Sequence, residues 1–176
     1  YMKFRTEITI PTAKDKINHQ DAIMSVGSCL ADNIAEYLKE YKFKVSANPF
    51  GVLYNPKSVL SSIRLLCDPG SFDESALVFR QSEYHSFYHH SDFSHHEREF
   101  CLKRIKDSLS FDSDFLRRTE FLIITFGTAL IYRHKASGMI VSNCHKIPPG
   151  EFIRERLSVQ ETSDTIREII DTARNF

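Results

Sequence analysis

Ser28 and Cys29 are the residues best placed to do chemistry. They follow Ile23-Met24-Ser25-Val26-Gly27, an apolar, β-tolerant run that ends on a glycine. From Leu30 the apolar spacing turns helical through Leu30, Ile34, Leu38 and Tyr41. A buried strand, a tight turn and a helix are therefore predicted, with Ser28 and Cys29 at the handover. Gly27 allows the sharp turn. In an open α/β sheet the carboxyl end of a strand is where sites form. Unpaired amides and the positive end of the helix dipole face that spot. A thiol at such a helix start is biased towards its nucleophilic thiolate form. The competing reading makes Cys29 a small packing residue in a turn.

Two further loops carry candidate groups. Asn48-Pro49-Phe50-Gly51 holds a stiffening proline beside Gly51, whose amide can approach a ligand closely; as a bare turn it simply precedes the next helix. Gly127-Thr128-Ala129 ends the run Glu120–Phe126, which reads as a central parallel strand covered on both faces. Candidate bases are His145 and His90. His145 follows a predicted hairpin, and its alternative role is to lock that hairpin to the next loop. His90 is either a lid group over a cleft or a surface histidine.

The elements that must position these residues follow in order. Phe4–Ile10 is a candidate edge strand and residues 12–20 read as loop. Phe43–Ala47 is a second strand. Asn55-Pro56 starts a helix, as N-cap and first-turn proline, with Leu60, Ile63, Leu66 and Cys67 inward. Residues 71–100 form an aromatic and histidine-rich insertion, expected to be only partly ordered. It carries His85, His89, His90, His95 and His96. Their spacing is not that of a zinc site, and no metal is expected. Phe100–Leu109 is a helix and 112–119 a short helical connection. Residues 130–133 and 139–142 flank a turn. Ser158 and Glu161 make a capping box for a last helix with Ile166, Ile169, Ile170 and Ala173 inward.

Composition narrows the classes of function. The 176 residues suit a single domain, and 23 basic and 23 acidic side chains cancel, which removes the electrostatic case for nucleic acid or an anionic membrane. No apolar run reaches membrane-spanning length. Cys29, Cys67, Cys101 and Cys144 form no C-x-x-C pair, and the start lacks the apolar core of a secretory leader, so a reducing cytoplasm is expected.

Gly27-Ser28-Cys29-Leu30-Ala31 resembles the motif that names the GSCFA family, with Leu30 in place of Phe. The similarity continues through Ala31-Asp32-Asn33, Asn48–Pro56, His90–Ser94, Phe126–Ala129 and Asn143–Pro148. That family resembles a branch of the SGNH, or GDSL-like, hydrolases. The resemblance implies a flavodoxin-like three-layer α/β/α sandwich with a mostly parallel sheet, incomplete here at its C-terminus. It places Cys29 at the nucleophile position, with Ser28 the second choice. It makes Gly51 an oxyanion glycine and aligns Gly127-Thr128 with a further oxyanion block. Ala129 stands where that block has asparagine. Gly27, Asn48, His90 and Ser91 complete the implied substrate-binding set, and His145 is the reserve base. The main Asp and His are expected beyond residue 176. An acyl ester, small or glycan-borne, is the implied substrate, with no cofactor. A degenerate site that binds an acylated or glycan ligand without turnover stands beside it.

Overall fold

A computed structural model describes residue 6 and residues 8–176. Part of the candidate strand Phe4–Ile10 lies outside the described residues, and Ile8–Ile10 form no strand. The ordered fold opens with β1 (Ala22–Gly27), all six residues buried, followed by α1 (Cys29–Glu40) and β2 (Lys44–Ala47). Asn55 accepts a hydrogen bond from the Ser58 amide and so caps α2 (Pro56–Cys67). Next come the antiparallel hairpin β3 (Leu77–Arg80) and β4 (Glu83–Ser86), then α3 (Arg98–Arg117) and β5 (Thr119–Thr125). β6 (Leu130–His134), β7 (Ile140–Val141) and β8 (Phe152–Arg156) precede α4 (Val159–Arg174). The capping box Ser158–Glu161 is formed at the start of α4.

β2, β1 and β5, in that order, make a parallel sheet. Its two faces are separated by the two-residue period of β1. Met24 and Val26 enter the main core with Ile63 and Leu66 of α2, Ile105 of α3 and Ile169 of α4. Ser25 points the other way, and its hydroxyl donates to the Ala31 carbonyl of α1 at 3.1 Å. The protein is thus α/β. β6 pairs antiparallel with both β7 and β8, as β3 does with β4, so among the strands described parallel pairing is confined to the first sheet.

Three expectations need correction. β5 is not central among the described residues: β1 is, and β5 is only half-buried along its length. A continuous apolar run does not tell a middle strand from one whose outer edge lies along a cleft, here a cavity of about 540 Å³ bounded by Leu122, Ile124, Ile170 and Phe176. The helix and connection at 100–119 are one helix of 20 residues. Asp112 breaks the apolar pattern, but it is buried and accepts from the Ser46 hydroxyl (2.7 Å) and the Ser108 hydroxyl (3.0 Å). No element is predicted over 152–156, where three of five residues, Arg154, Glu155 and Arg156, are charged; β8 forms there, and Glu155 pairs across the strands with Arg133 at 2.8 Å. The insertion at 71–100 is folded: Phe87 joins Val141, Ile147 and Phe152 in a second core, and His85 and His89 are buried.

Candidate functional site

The Gly27–Cys29 turn is built by close approach of backbone. Gly27 has φ +136°, and a Cβ there would lie 1.9 Å from the Thr125 carbonyl oxygen. Only glycine lets β1 leave the sheet this tightly against β5. The Ser28 amide then donates to Thr125, to Oγ1 at 3.0 Å and to the carbonyl at 3.2 Å. The Ser28 and Thr125 hydroxyls share a hydrogen bond of 2.9 Å. Ser28 Oγ also accepts from the Leu30 amide at 3.4 Å, so it caps α1. Ser28 is buried, whereas Cys29, the first residue of α1, is exposed. Of the two nucleophile candidates, the turn presents the thiol. The Cys29 amide makes no hydrogen bond among the described residues, as expected for the first turn of a helix.

Asn48 holds the turn from behind. Its Oδ1 accepts the Gly27 amide at 2.7 Å and its Nδ2 donates to Asp32 Oδ1 at 2.6 Å. It sits in the left-handed region, φ 43°, and its own amide donates to the Ser25 carbonyl. Asn48 was expected to meet substrate; its carboxamide is instead engaged inside the fold. Asp32 and Thr125 are the residues that sequence reasoning missed. Asp32, an acid in the first turn of α1, carried a weak signal. Thr125, the last residue of β5, carried none.

The expected oxyanion amides are engaged as well. The Gly51 amide donates to the Asn48 carbonyl at 2.7 Å. The Gly127 and Thr128 amides both donate to the Tyr54 carbonyl, at 2.8 and 3.0 Å. Gly51 is nevertheless required, since a Cβ there would fall 2.2 Å from the His90 Cβ. The His90 amide donates to the Phe50 carbonyl at 2.8 Å, so His90 is seated on this loop at its backbone. Its imidazole Nδ1 lies 2.9 Å from Asp92 Oδ2.

His145 is held elsewhere. Its amide donates to Asn143 Oδ1 (2.9 Å), its Nε2 donates to the Ser86 carbonyl (2.7 Å), and its ring stacks on His85 at 4.7 Å. These contacts lock the 143–146 loop to the β3–β4 hairpin. Burial pushes the His145 ring down to about 4, with His85 and His90 adding repulsion. Burial likewise holds His89, whose ring stacks on Phe50, at about 3. Ser91 lines a small cavity with His145. Among the described residues no group of three or more His, Cys, Asp or Glu is arranged to hold a metal ion, and no helix is long and apolar enough to cross a membrane.

An α/β protein with a Gly-Ser-Cys turn between its buried parallel strand and its first helix is the class these features define. The model of the GSCFA family matches residues 22–176, and the chain belongs to that family. Comparison with curated proteins and with solved structures gives no match.

Proposed function

We propose that this chain carries the nucleophile of an SGNH-like acyl-ester hydrolase or acyltransferase, with Cys29 as the attacking residue. The supporting observation is the turn itself: an exposed thiol opens α1 at the carboxyl end of a fully buried strand, with its own amide unpaired among the described residues. The Cys29 sulfur, having given up its proton, attacks the acyl carbonyl. The oxyanion receives the Cys29 N–H, the alcohol departs with a proton, and a thioester remains. Water or an acceptor hydroxyl then takes the acyl group and the thiol is restored. In this reading the sheet, with α1 on one face and α2–α4 on the other, is a flavodoxin-like three-layer sandwich working in the cytoplasm. The general base is not His145, which is committed to the hairpin.

A second reading is favoured by one observation. The Gly51, Gly127 and Thr128 amides are all engaged internally, and losing one oxyanion donor typically costs about two to three decades in rate. On this reading the domain binds an acylated or glycan ligand without turnover.

Incubation with p-nitrophenyl acetate, followed by peptide mass spectrometry, separates the two. Stoichiometric acetylation of Cys29 in the folded chain, lost in Cys29→Ala and retained in Ser28→Ala, supports the nucleophile. A folded chain in which Cys29 stays unmodified sinks it and leaves the binding reading.

A further inference from the structure

Release of an acyl group from Cys29 needs a base more than its capture does. A thiol that opens a helix is already biased towards the thiolate. Water, in contrast, attacks a thioester efficiently only when its proton is taken up as the bond forms. We propose that His90, oriented by Asp92, is the base that activates this water; the assignment rests on the nucleophile reading of Cys29.

The pair stands at the same edge of the sheet as the thiol. β1, β2 and β5 run parallel, so the loops that follow them leave from one edge, where sites form in such sheets. The loop after β2 is tied to the Cys29 turn on both sides of Gly51. The Asn48 carboxamide accepts the Gly27 amide at 2.7 Å, and the Leu53 amide donates to the Gly27 carbonyl at 2.7 Å. His90 is seated on the tip between them. Its Cβ lies 2.2 Å from where a Gly51 Cβ would be, and its amide donates to the Phe50 carbonyl at 2.8 Å. The neighbouring residues hold that seat firm. His89 is buried with its ring stacked on Phe50 at 4.5 Å, and Phe93 packs against the main core. A side chain on so fixed a support is pre-organised.

The ring has the polarity that a base needs. Nδ1 is buried without an aligned hydrogen bond, and Asp92 Oδ2, 2.9 Å away, is the acceptor beside it. A carboxylate there favours the tautomer with its proton on Nδ1, which leaves the lone pair on Nε2. Nε2 makes no hydrogen bond among the described residues, and the side chain is 39% exposed, on the side away from the buried Nδ1. Asp92 and His145 are the titratable groups that face the ring. His145 is kept neutral by burial and bonded to the Ser86 carbonyl, so it does not compete for the water's proton.

The water oxygen bonds to the acyl carbon as its proton passes to His90 Nε2. The carbon–sulfur bond then breaks, the thiolate leaves, and the imidazolium returns the proton to sulfur. A carboxylic acid departs, and thiol and ring are restored. A base that acts through one water needs no direct contact with the sulfur.

The test acetylates Cys29 in the whole chain with p-nitrophenyl acetate, removes the ester, and follows return of the free thiol by peptide mass spectrometry. His90→Ala should slow that return about a hundredfold while acetyl-Cys29 still forms. Added imidazole should restore much of the lost rate. Asp92 is largely exposed, so Asp92→Asn should slow the return less. It should also move the pH profile to lower pH, since the ring loses a partner that favours its protonated form, and Asp92→Glu should recover both. His90→Gln, closer in size, takes the place of His90→Ala if that variant does not fold. An unchanged rate in a folded His90 variant overturns the assignment. A slowed rate that imidazole does not restore overturns it too, as does an acetyl group that the unaltered chain never releases. An unaltered chain whose Cys29 takes no acetyl group overturns the nucleophile reading itself, and His90 as its base falls with it.

Discussion

Acid should destabilise this protein well above the pH at which its carboxylates protonate. His145 and His89 are buried as neutral rings, with folded values near 4 and near 3 against an ordinary 6.5. Each has a ring nitrogen without a partner, His145 Nδ1 and His89 Nε2, and at His145 the burial penalty outweighs the bond to the Ser86 carbonyl, which favours the protonated ring. The unfolded chain therefore binds protons that the native state refuses. Stability from these two groups is complete above pH 6.5 and is lost as pH falls towards the folded values. At pH 5 an unfolded histidine is about 1.5 pH units below its midpoint, and each unit is worth about 1.36 kcal/mol, so each ring removes about 2 kcal/mol. Together they remove about 4 kcal/mol, a large share of the about 5–15 kcal/mol that holds a domain folded. Asp112 works the other way, because burial raises its carboxyl and protonation there favours the native state. Urea unfolding followed by circular dichroism at about pH 7.5 and about pH 5 should show the midpoint falling by about 2 M for a slope near 2 kcal/mol/M. Histidine ring NMR on the folded protein should find both rings still neutral at pH 5. An unchanged midpoint, or either ring titrating near 6.5 in the native state, refutes the reasoning.

Four further outcomes follow from the geometry. Asn48→Ala strands the Gly27 amide and the Asp32 carboxylate, and should cost about 2–3 kcal/mol in urea unfolding. Gly27→Ala drives a Cβ into the Thr125 backbone and should cost more than about 3 kcal/mol, seen as loss of soluble folded protein. Ser158→Ala removes the α4 capping box at a cost of about 1 kcal/mol, read as a lowered thermal midpoint. Iodoacetamide should label Cys29 at least about tenfold faster than the other cysteines in the native state, since burial pushes the Cys67, Cys101 and Cys144 thiols up; comparable rates at all four would remove Cys29 from consideration.

The sequence was most legible where local chemistry and fold agree. Gly27, Asn55-Pro56 and Ser158 with Glu161 each satisfy a requirement contained within a few residues, and each sits where its type demands. It was least legible where a polar residue is buried by a distant partner. Asp112 depends on Ser46, 66 residues away, and Ser28 on Thr125, 97 residues away; no window along the chain contains both members of either pair. The histidines misled for the same reason. Crowded along the chain, they pointed to a partly ordered insertion and, at His90, to a lid or a surface position. In the fold, His85 and His145 stack on each other while His89 stacks on Phe50, so aromatic contact rather than ligation uses them.

The candidate site inverts the roles that motif position assigns. Motif alignment gives Asn48, Gly51, Gly127 and Thr128 to the substrate, yet Asn48 offers its carboxamide, and the three others their amides, to neighbouring protein groups. These bonds converge on one task. Asn48 pins the Gly27 amide, Thr125 pins Ser28, and the Tyr54 carbonyl gathers the loop after β5 beside them. On the nucleophile reading these bonds withdraw the three amides from the oxyanion and tie down the backbone on the N-terminal side of Cys29. A thiol tolerates that exchange better than a hydroxyl does, because it needs less activation to attack. If attack depends on a fixed thiol more than on a rich oxyanion hole, loosening the turn should slow acetylation of Cys29 even where the chain stays folded. Thr125→Val keeps the shape and removes only the hydroxyl shared with Ser28 and its amide. It should fold and lower the acetylation rate several-fold. An unchanged rate in folded Thr125→Val would mean that the turn's rigidity serves the fold alone.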